Sequence, residues 1–205
     1  MGLFARYIWA PLLDFVMRQE PIMRQREKVV PLAGGRVLEI GVGSGLNLTF
    51  YDPARVEEIC GLDPAVELQA RSRARAAAGT VPVRHFTGSA EEIPFASGTF
   101  DTVVTTFTLC SIPDVTRALR EMRRVVKASG RLLFAEHGLS PDPDVAGWQN
   151  RLNPAWRIFS RGCNMNRPIA SLLRDGGFAP TSFETLYLPG PRVLNYHCWG
   201  AAAPA

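Results

Sequence analysis

Residues 37–45 read VLEIGVGSG, a short apolar run that ends in three glycines within five positions. A continuous apolar run of this length, broken only by Glu39, is the pattern of a strand buried on both faces. Glycine has no side chain to pack and costs backbone entropy. Three of them together mark a place where the main chain must lie bare. A strand, then such a loop, then a helix presents backbone N–H groups to a ligand. In an open parallel sheet, the region beyond the carboxyl ends of the strands is where ligands bind. A plain tight turn would need fewer glycines.

The rest of the chain repeats the alternation. Strands are expected at Arg36–Ile40, Val56–Leu62, Val83–Thr87, Thr99–Thr106, Arg131–Glu136, Ser182–Leu188 and His197–Ala203. Helices are expected at Leu46–Tyr51, Pro64–Ala78, Val115–Val126, Val145–Phe159 and Pro168–Asp175. This order predicts an α/β fold: a doubly wound, mostly parallel seven-stranded sheet with helices on both faces. Val115, Leu119, Met122 and Val126 form one buried stripe, with Asp114 placed to cap that helix. Arg117, Arg120, Arg123 and Arg124 read as its solvated side, and Arg71, Arg73 and Arg75 as solvated charge on an earlier helix.

Two regions are predicted: an N-terminal helical lid or surface segment at 1–35, and the main domain at 36–205. Within Leu3–Met17, Phe4, Ile8, Leu12 and Phe15 share a helical face, which Pro11 should interrupt. Packing on the domain and contact with a membrane surface both remain open for it.

Composition removes several classes of function. The 205 residues carry a net charge of +4 with no basic block interleaved with aromatics, so nucleic acid is not an expected partner. The four cysteines lie far apart, the nearest two being Cys163 and Cys198. That spacing predicts free thiols in a reducing compartment and no metal site. His85 and His197 likewise lack a partner at i+4. No apolar run approaches the roughly 20 residues of a membrane span, and no export signal is legible. Cytoplasm is the expected location, peripheral to the membrane in the second reading of Leu3–Met17. Oligomeric state is not legible.

The ligand can be narrowed from the loop itself. A dinucleotide loop wants a small residue at position 46, where Leu46 stands, and a carboxylate at Glu39 would repel a pyrophosphate but favour a cationic ligand. The string EIGVGSG, Glu39 to Gly45, resembles the first motif of the class I S-adenosylmethionine-dependent methyltransferases. The resemblance continues in order through GLDPA (61–65), GSAEEIPFASGTFD (88–101) and RVVKASGRLLFAEH (124–137). It covers about residues 34–137 and implies S-adenosylmethionine as cofactor. Glu39, Gly41, Gly43 and Gly45 would form its cradle, while Asp63, followed by Pro64, would accept the ribose hydroxyls. Where this family usually has an acid, Ser89 stands here, which leaves the adenine to the Ala90 backbone and Glu91. Thr106 and Cys110, at the exit of the fourth strand, would lie near the methionine end.

Within the class, FTLCSIPD (107–114), the Glu136–His137 pair and the Gly162–Cys163 segment resemble the ubiquinone/menaquinone-type and alkyl-thiol methyltransferases. The resemblance implies transfer of a methyl group to a small, apolar acceptor whose reacting atom (thiol, hydroxyl or ring carbon) stays open. An NAD(P)-dependent oxidoreductase and a non-catalytic S-adenosylmethionine-binding protein are the alternatives. Since the sulfonium is already activated, alignment dominates the chemistry. His137 and Glu136 are the candidate acid–base groups, His137 first because it titrates near neutrality. Trp148, Trp156 and Phe159 would line either an acceptor pocket or the core.

Overall fold

A computed structural model describes residues 5–205 of the chain, with side chains from Tyr7 onward. Leu3 and Phe4, part of the N-terminal amphipathic stretch, lie outside the described residues. Seven strands form one sheet: β1 (Gly35–Ile40), β2 (Val56–Leu62), β3 (Val83–Phe86), β4 (Phe100–Thr106), β5 (Val126–His137), β6 (Phe178–Tyr187) and β7 (Tyr196–Pro204). Their spatial order is β3-β2-β1-β4-β5-β7-β6, parallel from β3 to β5, with β7 antiparallel to both its neighbours. Strand order reverses between β1 and β4, which opens the crevice at their carboxyl ends. The central strands are buried on both faces, Val37, Leu38, Val103, Val104, Leu132 and Leu133 among the most enclosed residues. This is why they read as apolar runs.

The helices are α1 (Ala10–Met17), α2 (Glu20–Val29), α3 (Val66–Ala78), α4 (Val115–Val125), α5 (Pro143–Phe159) and α6 (Ile169–Asp175). A π-helical turn at Ala5–Trp9 precedes α1 and runs into it, with Pro11 in the first turn of α1. Asp114 caps α4 by accepting the Arg117 N–H at 3.0 Å, and Val115, Ala118, Leu119, Met122 and Val125 are buried beneath it. No helix among the described residues is long and apolar enough to cross a membrane.

Two expectations are corrected and one helix is added. Leu46–Tyr51 is a chain of turns, closed by Leu48 N–H to Gly45 O and Phe50 N–H to Asn47 O, and not a helix. Asn47 is drawn inward by buried partners and Asp52-Pro53 follows at once, so the stretch is too short to propagate a helix. β5 starts at Val126 rather than Arg131; the register jumps from Phe100↔Val126 to Thr102↔Arg131 and accommodates the intervening residues as a bulge. α2 lies within the segment 1–35 expected to be helical, but no separate helix is predicted there.

The N-terminal helices attach to the domain through charge. Asp14 is 3% exposed and accepts two bonds from the Arg75 guanidinium, at 2.8 and 3.1 Å. Arg75 also donates to Ser44 O in the glycine loop at 2.5 Å, so it is no mere solvated charge. These arginine partners hold the Asp14 carboxyl below its usual range against the opposing effect of burial. The apolar side chains Ile8, Leu12 and Phe15 point away and are 55%, 49% and 60% exposed.

Candidate active site

The glycine loop leaves β1 with positive φ at each of its three glycines. At Gly41 (φ +72°) any Cβ would overlap the Thr108 side chain, so the loop after β4 packs directly on bare main chain. Gly43 (φ +51°) differs: the nearest atoms to a Cβ there are 3.7 Å away, and Asp63 Oδ2 lies beyond them at 3.9 Å. The glycine thus serves the fold at Gly41, whereas at Gly43 a Cβ would meet its neighbours only at ordinary van der Waals distance. Asp63 directly follows β2 and is 7% exposed; its Oδ2 accepts Gly43 N–H at 2.8 Å and its Oδ1 accepts Ala65 N–H at 2.7 Å. Burial pushes its carboxyl up. Each oxygen keeps a further acceptor direction. Pro64 next to it is exposed.

Beyond β3, Ser89 and Glu91 close a small turn, the Ser89 hydroxyl donating to Glu91 Oε2 at 3.0 Å and accepting Glu91 N–H at 3.1 Å. Glu91 Oε1 takes the Asp114 N–H at 2.6 Å, and Ala90 is buried between. An open main-chain cradle beside a carboxylate, with a polar turn on the next strand, suits S-adenosylmethionine. Gly43, Asp63 and the 89–91 turn are the residues available to hold it.

Glu39 does not face that opening. It is 1% exposed, with Oε1 accepting Asn47 Nδ2 at 3.0 Å and Oε2 accepting the Tyr51 hydroxyl at 2.9 Å. Its counter-charge is Arg26 of α2, itself buried and donating to Asn47 Oδ1 at 2.9 Å and Thr106 Oγ1 at 2.5 Å. The expectation of a cationic ligand beside Glu39 is therefore met by the chain's own arginine. Burial pushes the Glu39 carboxyl up to about 7 and lowers the guanidinium to about 10, the carboxylates Glu39 and Glu136 opposing that fall. Thr106 is committed to the same network.

Glu136 is likewise a structural carboxylate and not an acid–base group in the cleft. It is 1% exposed and accepts the Thr105 hydroxyl at 2.9 Å, Thr108 N–H at 2.9 and 3.0 Å, and Leu109 N–H at 3.2 Å. These bonds pin the loop in which Phe107 adopts φ +55°. Burial pushes its carboxyl up to about 7. Strand alternation turns the neighbouring His137 the other way.

His137 is half-buried, and its Nε2 lies 3.5 Å from Cys163 Sγ. Cys110, 2% exposed beyond β4, completes a group whose donor atoms all lie within 4.8 Å of one another. The Cys110 thiol beside it holds Cys163 far below the usual thiol range, with His137 acting in the same sense, and Cys110 is pushed up in return. Burial alone would lower His137; the Cys163 sulfur and Glu136 outweigh it and raise the imidazole. Across the β5–β7 pair stands His197, pushed down to about 3 by burial first and His137 second. Spacing in the sequence offers no hint of this cluster, because its members come from three separate elements.

Beside the cluster, the last turns of α5 form one wall of an apolar cavity of about 380 Å³, lined by Leu152, Trp156, Phe159, Met165, Val193 and Leu194. The Ser160 hydroxyl bonds both Trp156 O (2.7 Å) and Cys163 O (3.2 Å), tying this wall to the cysteine loop. Trp148 and Phe159 are 54% and 77% exposed, which excludes them from the core. Gln149 is buried on that helix together with Val145 and Asn153, and it donates to Gly138 O, Met165 O and Val193 O.

Residues 38–134 match the family model described as a methyltransferase domain. The chain is 30% identical over 172 residues to the human thiol S-methyltransferase TMT1A, spanning 81% of this chain and 69% of that protein. It is also 30% identical over 118 residues to the ubiquinone/menaquinone biosynthesis C-methyltransferase of Cereibacter sphaeroides, 56% of this chain and 47% of the relative. In structure it resembles geranyl diphosphate methyltransferase solved with S-adenosylmethionine, with a TM-score of 0.73 at 16% identity over 96% of this chain and 90% of that one. An oxidoreductase built on NAD(P) is thereby set aside. The chain belongs to the class I S-adenosylmethionine-dependent methyltransferases.

Proposed function

We propose that the methyl acceptor is a small apolar thiol. The observation that carries this reading is the apolar cavity at the end of α5, whose lining residues carry no charge and which adjoins the only cysteine–histidine cluster among the described residues. S-adenosylmethionine supplies a methyl already activated on a sulfonium, so the residues here need only bind, align and dispose of a proton. The cavity offers an apolar acceptor a lining without charge, and the proton its thiol gives away passes to solvent. A thiol ionises partly near neutrality, so one weak proton acceptor suffices. The thiol S-methyltransferase relative supports the same choice. On the cofactor side, Gly41, Gly43, Gly45, Asp63, Ser89, Ala90 and Glu91 bound the cradle, with Cys110 nearest the acceptor.

The test pairs an arylthiol with the matching phenol and quinol and measures formation of S-adenosylhomocysteine. Turnover confined to the thiol is expected; turnover of the phenol or quinol alone would overturn the assignment. Phe159→Ala and Trp156→Ala should raise KM more than they lower kcat.

Residues 1–35 act in this reading as a lid whose outer side meets an apolar surface. In support, Ile8, Leu12 and Phe15 are exposed, as are Ile158 and Phe159 at the end of α5, and the Arg161 guanidinium lies 5.5 Å from the centre of the Trp9 ring. Vesicle co-sedimentation should fall in Leu12→Glu/Phe15→Glu, and unchanged sedimentation would remove the membrane contact.

A further inference from the structure

The Cys110, His137 and Cys163 side chains meet from positions that no local motif connects, and their surroundings hold them there. Asn164 donates to Cys110 O through both its backbone N–H and its Nδ2, each at 2.9 Å. The Arg167 guanidinium donates to Leu109 O and, at 2.6 Å, to Ile112 O on either side of Cys110. Leu139 N–H, just past His137, donates to Arg167 O at 2.8 Å. The segment 163–167 is thus bonded both to the loop after β4 and to the end of β5. Such support fixes donor atoms before anything binds.

Tetrahedral zinc with bonds of about 2.3 Å to sulfur and 2.0–2.1 Å to nitrogen sets its donors roughly 3.5–3.8 Å apart. The His137 Nε2–Cys163 Sγ separation is 3.5 Å. With all three donor atoms inside 4.8 Å, closure onto a cation needs side-chain shifts of roughly 1 Å or less. Two thiolates and an imidazole are a soft donor set that selects zinc over magnesium or calcium.

We propose that Cys110, His137 and Cys163 form a zinc site with three protein ligands and one exchangeable position. Ligation forms two metal–sulfur bonds and one metal–nitrogen bond and releases the remaining thiol protons to solvent, with no change of oxidation state. His137 and Cys163 are the partly exposed members, so the fourth position is reached from their side, where Met165 leads into the apolar cavity. Water fills it in the resting chain. An acceptor thiol would replace that water during turnover, binding as the thiolate with its proton released to solvent, and only this last step rests on the acceptor proposed above.

The experiment uses the full chain, reduced and stripped of metal with a chelator, and titrates it with Co²⁺ followed by Zn²⁺. One equivalent of Co²⁺ should produce thiolate-to-metal charge-transfer and tetrahedral d–d bands, and Zn²⁺ should abolish them. Cys163→Ser and His137→Gln should each weaken metal affinity at least tenfold, whereas Cys60→Ser and Cys198→Ser should keep the bands. Far-UV circular dichroism checks that each variant is folded. Absence of charge-transfer bands in the folded wild type, or their persistence in Cys110→Ser/Cys163→Ser, would overturn the site. Intact bands in a chain that methylates no thiol would support the site and count against the acceptor assignment alone.

Discussion

Arg26 and Asn47 meet through a hydrogen bond of 2.9 Å from the guanidinium Nη1 to the amide Oδ1, and the same amide turns its Nδ2 to Glu39 at 3.0 Å. One side chain of α2 thereby neutralises the floor of the crevice, where Glu39 and Glu136 are both buried. Removing one member of such a network leaves uncompensated charge and typically costs about 3–5 kcal/mol. Arg26→Met is therefore expected to destabilise the chain by about that amount in denaturant titration. The loss should be smaller at pH 5 than at pH 8, since the two acids can protonate at the lower pH.

Stability should fall as pH rises through the titration of Glu39. Its folded value of about 7 lies above the ordinary 4.5, so between these the folded chain holds the proton more tightly than the unfolded chain. Ionising it in place costs up to about 3 kcal/mol, complete above pH 7. His197, pushed down to about 3, acts in the opposite direction at lower pH. The difference between wild type and Glu39→Gln isolates the first effect: the variant should gain relative stability from pH 5 to pH 7.5 in paired melts. A constant difference would contradict the assignment.

The two glycines of the cradle should separate folding from binding. Gly41→Ala combines φ +72° with overlap on Thr108 and should unfold or strongly destabilise the chain. Gly43→Ala meets no atom closer than 3.7 Å, so only its φ of +51° is unfavourable, at about 1–2 kcal/mol. It should remain folded while its new methyl group obstructs the cofactor, lowering affinity in calorimetry.

Asp63→Asn should keep the sheet but weaken S-adenosylmethionine binding about ten- to a hundredfold, the worth of a charge-assisted hydrogen bond. Its two loop contacts at 2.7 and 2.8 Å make a modest fall in Tm a necessary companion. Unaltered affinity would remove Asp63 from the cradle.

The sheet was legible because buried parallel strands must be apolar throughout, and β2 has the limits its sequence predicts, Val56–Leu62. α2 was hidden because it turns polar residues inward: Gln25 and Arg26 are buried beside Val29, which inverts the periodicity on which helix reading depends. Pro21 near its start and Arg26 and Lys28 in its last turn were the available signals. Glu39 and Glu136 were visible as important acids, but their roles were not, because no local pattern reveals a distant guanidinium. The same limit applies to Cys110 and Cys163, which only the fold brings together.

The Lys28 ammonium lies 3.4 Å above the Trp199 ring, so the helix that carries Arg26 rests on the last strand of the sheet. During synthesis β1 leaves the ribosome long before β7 does. Arg26 and its partners Asn47 and Thr106 are also made early, whereas the strand on which Lys28 rests arrives last. A nascent chain can therefore bring the crevice acids and their counter-ion together early, while the helix that carries that counter-ion gains its last support only when the final strand is made.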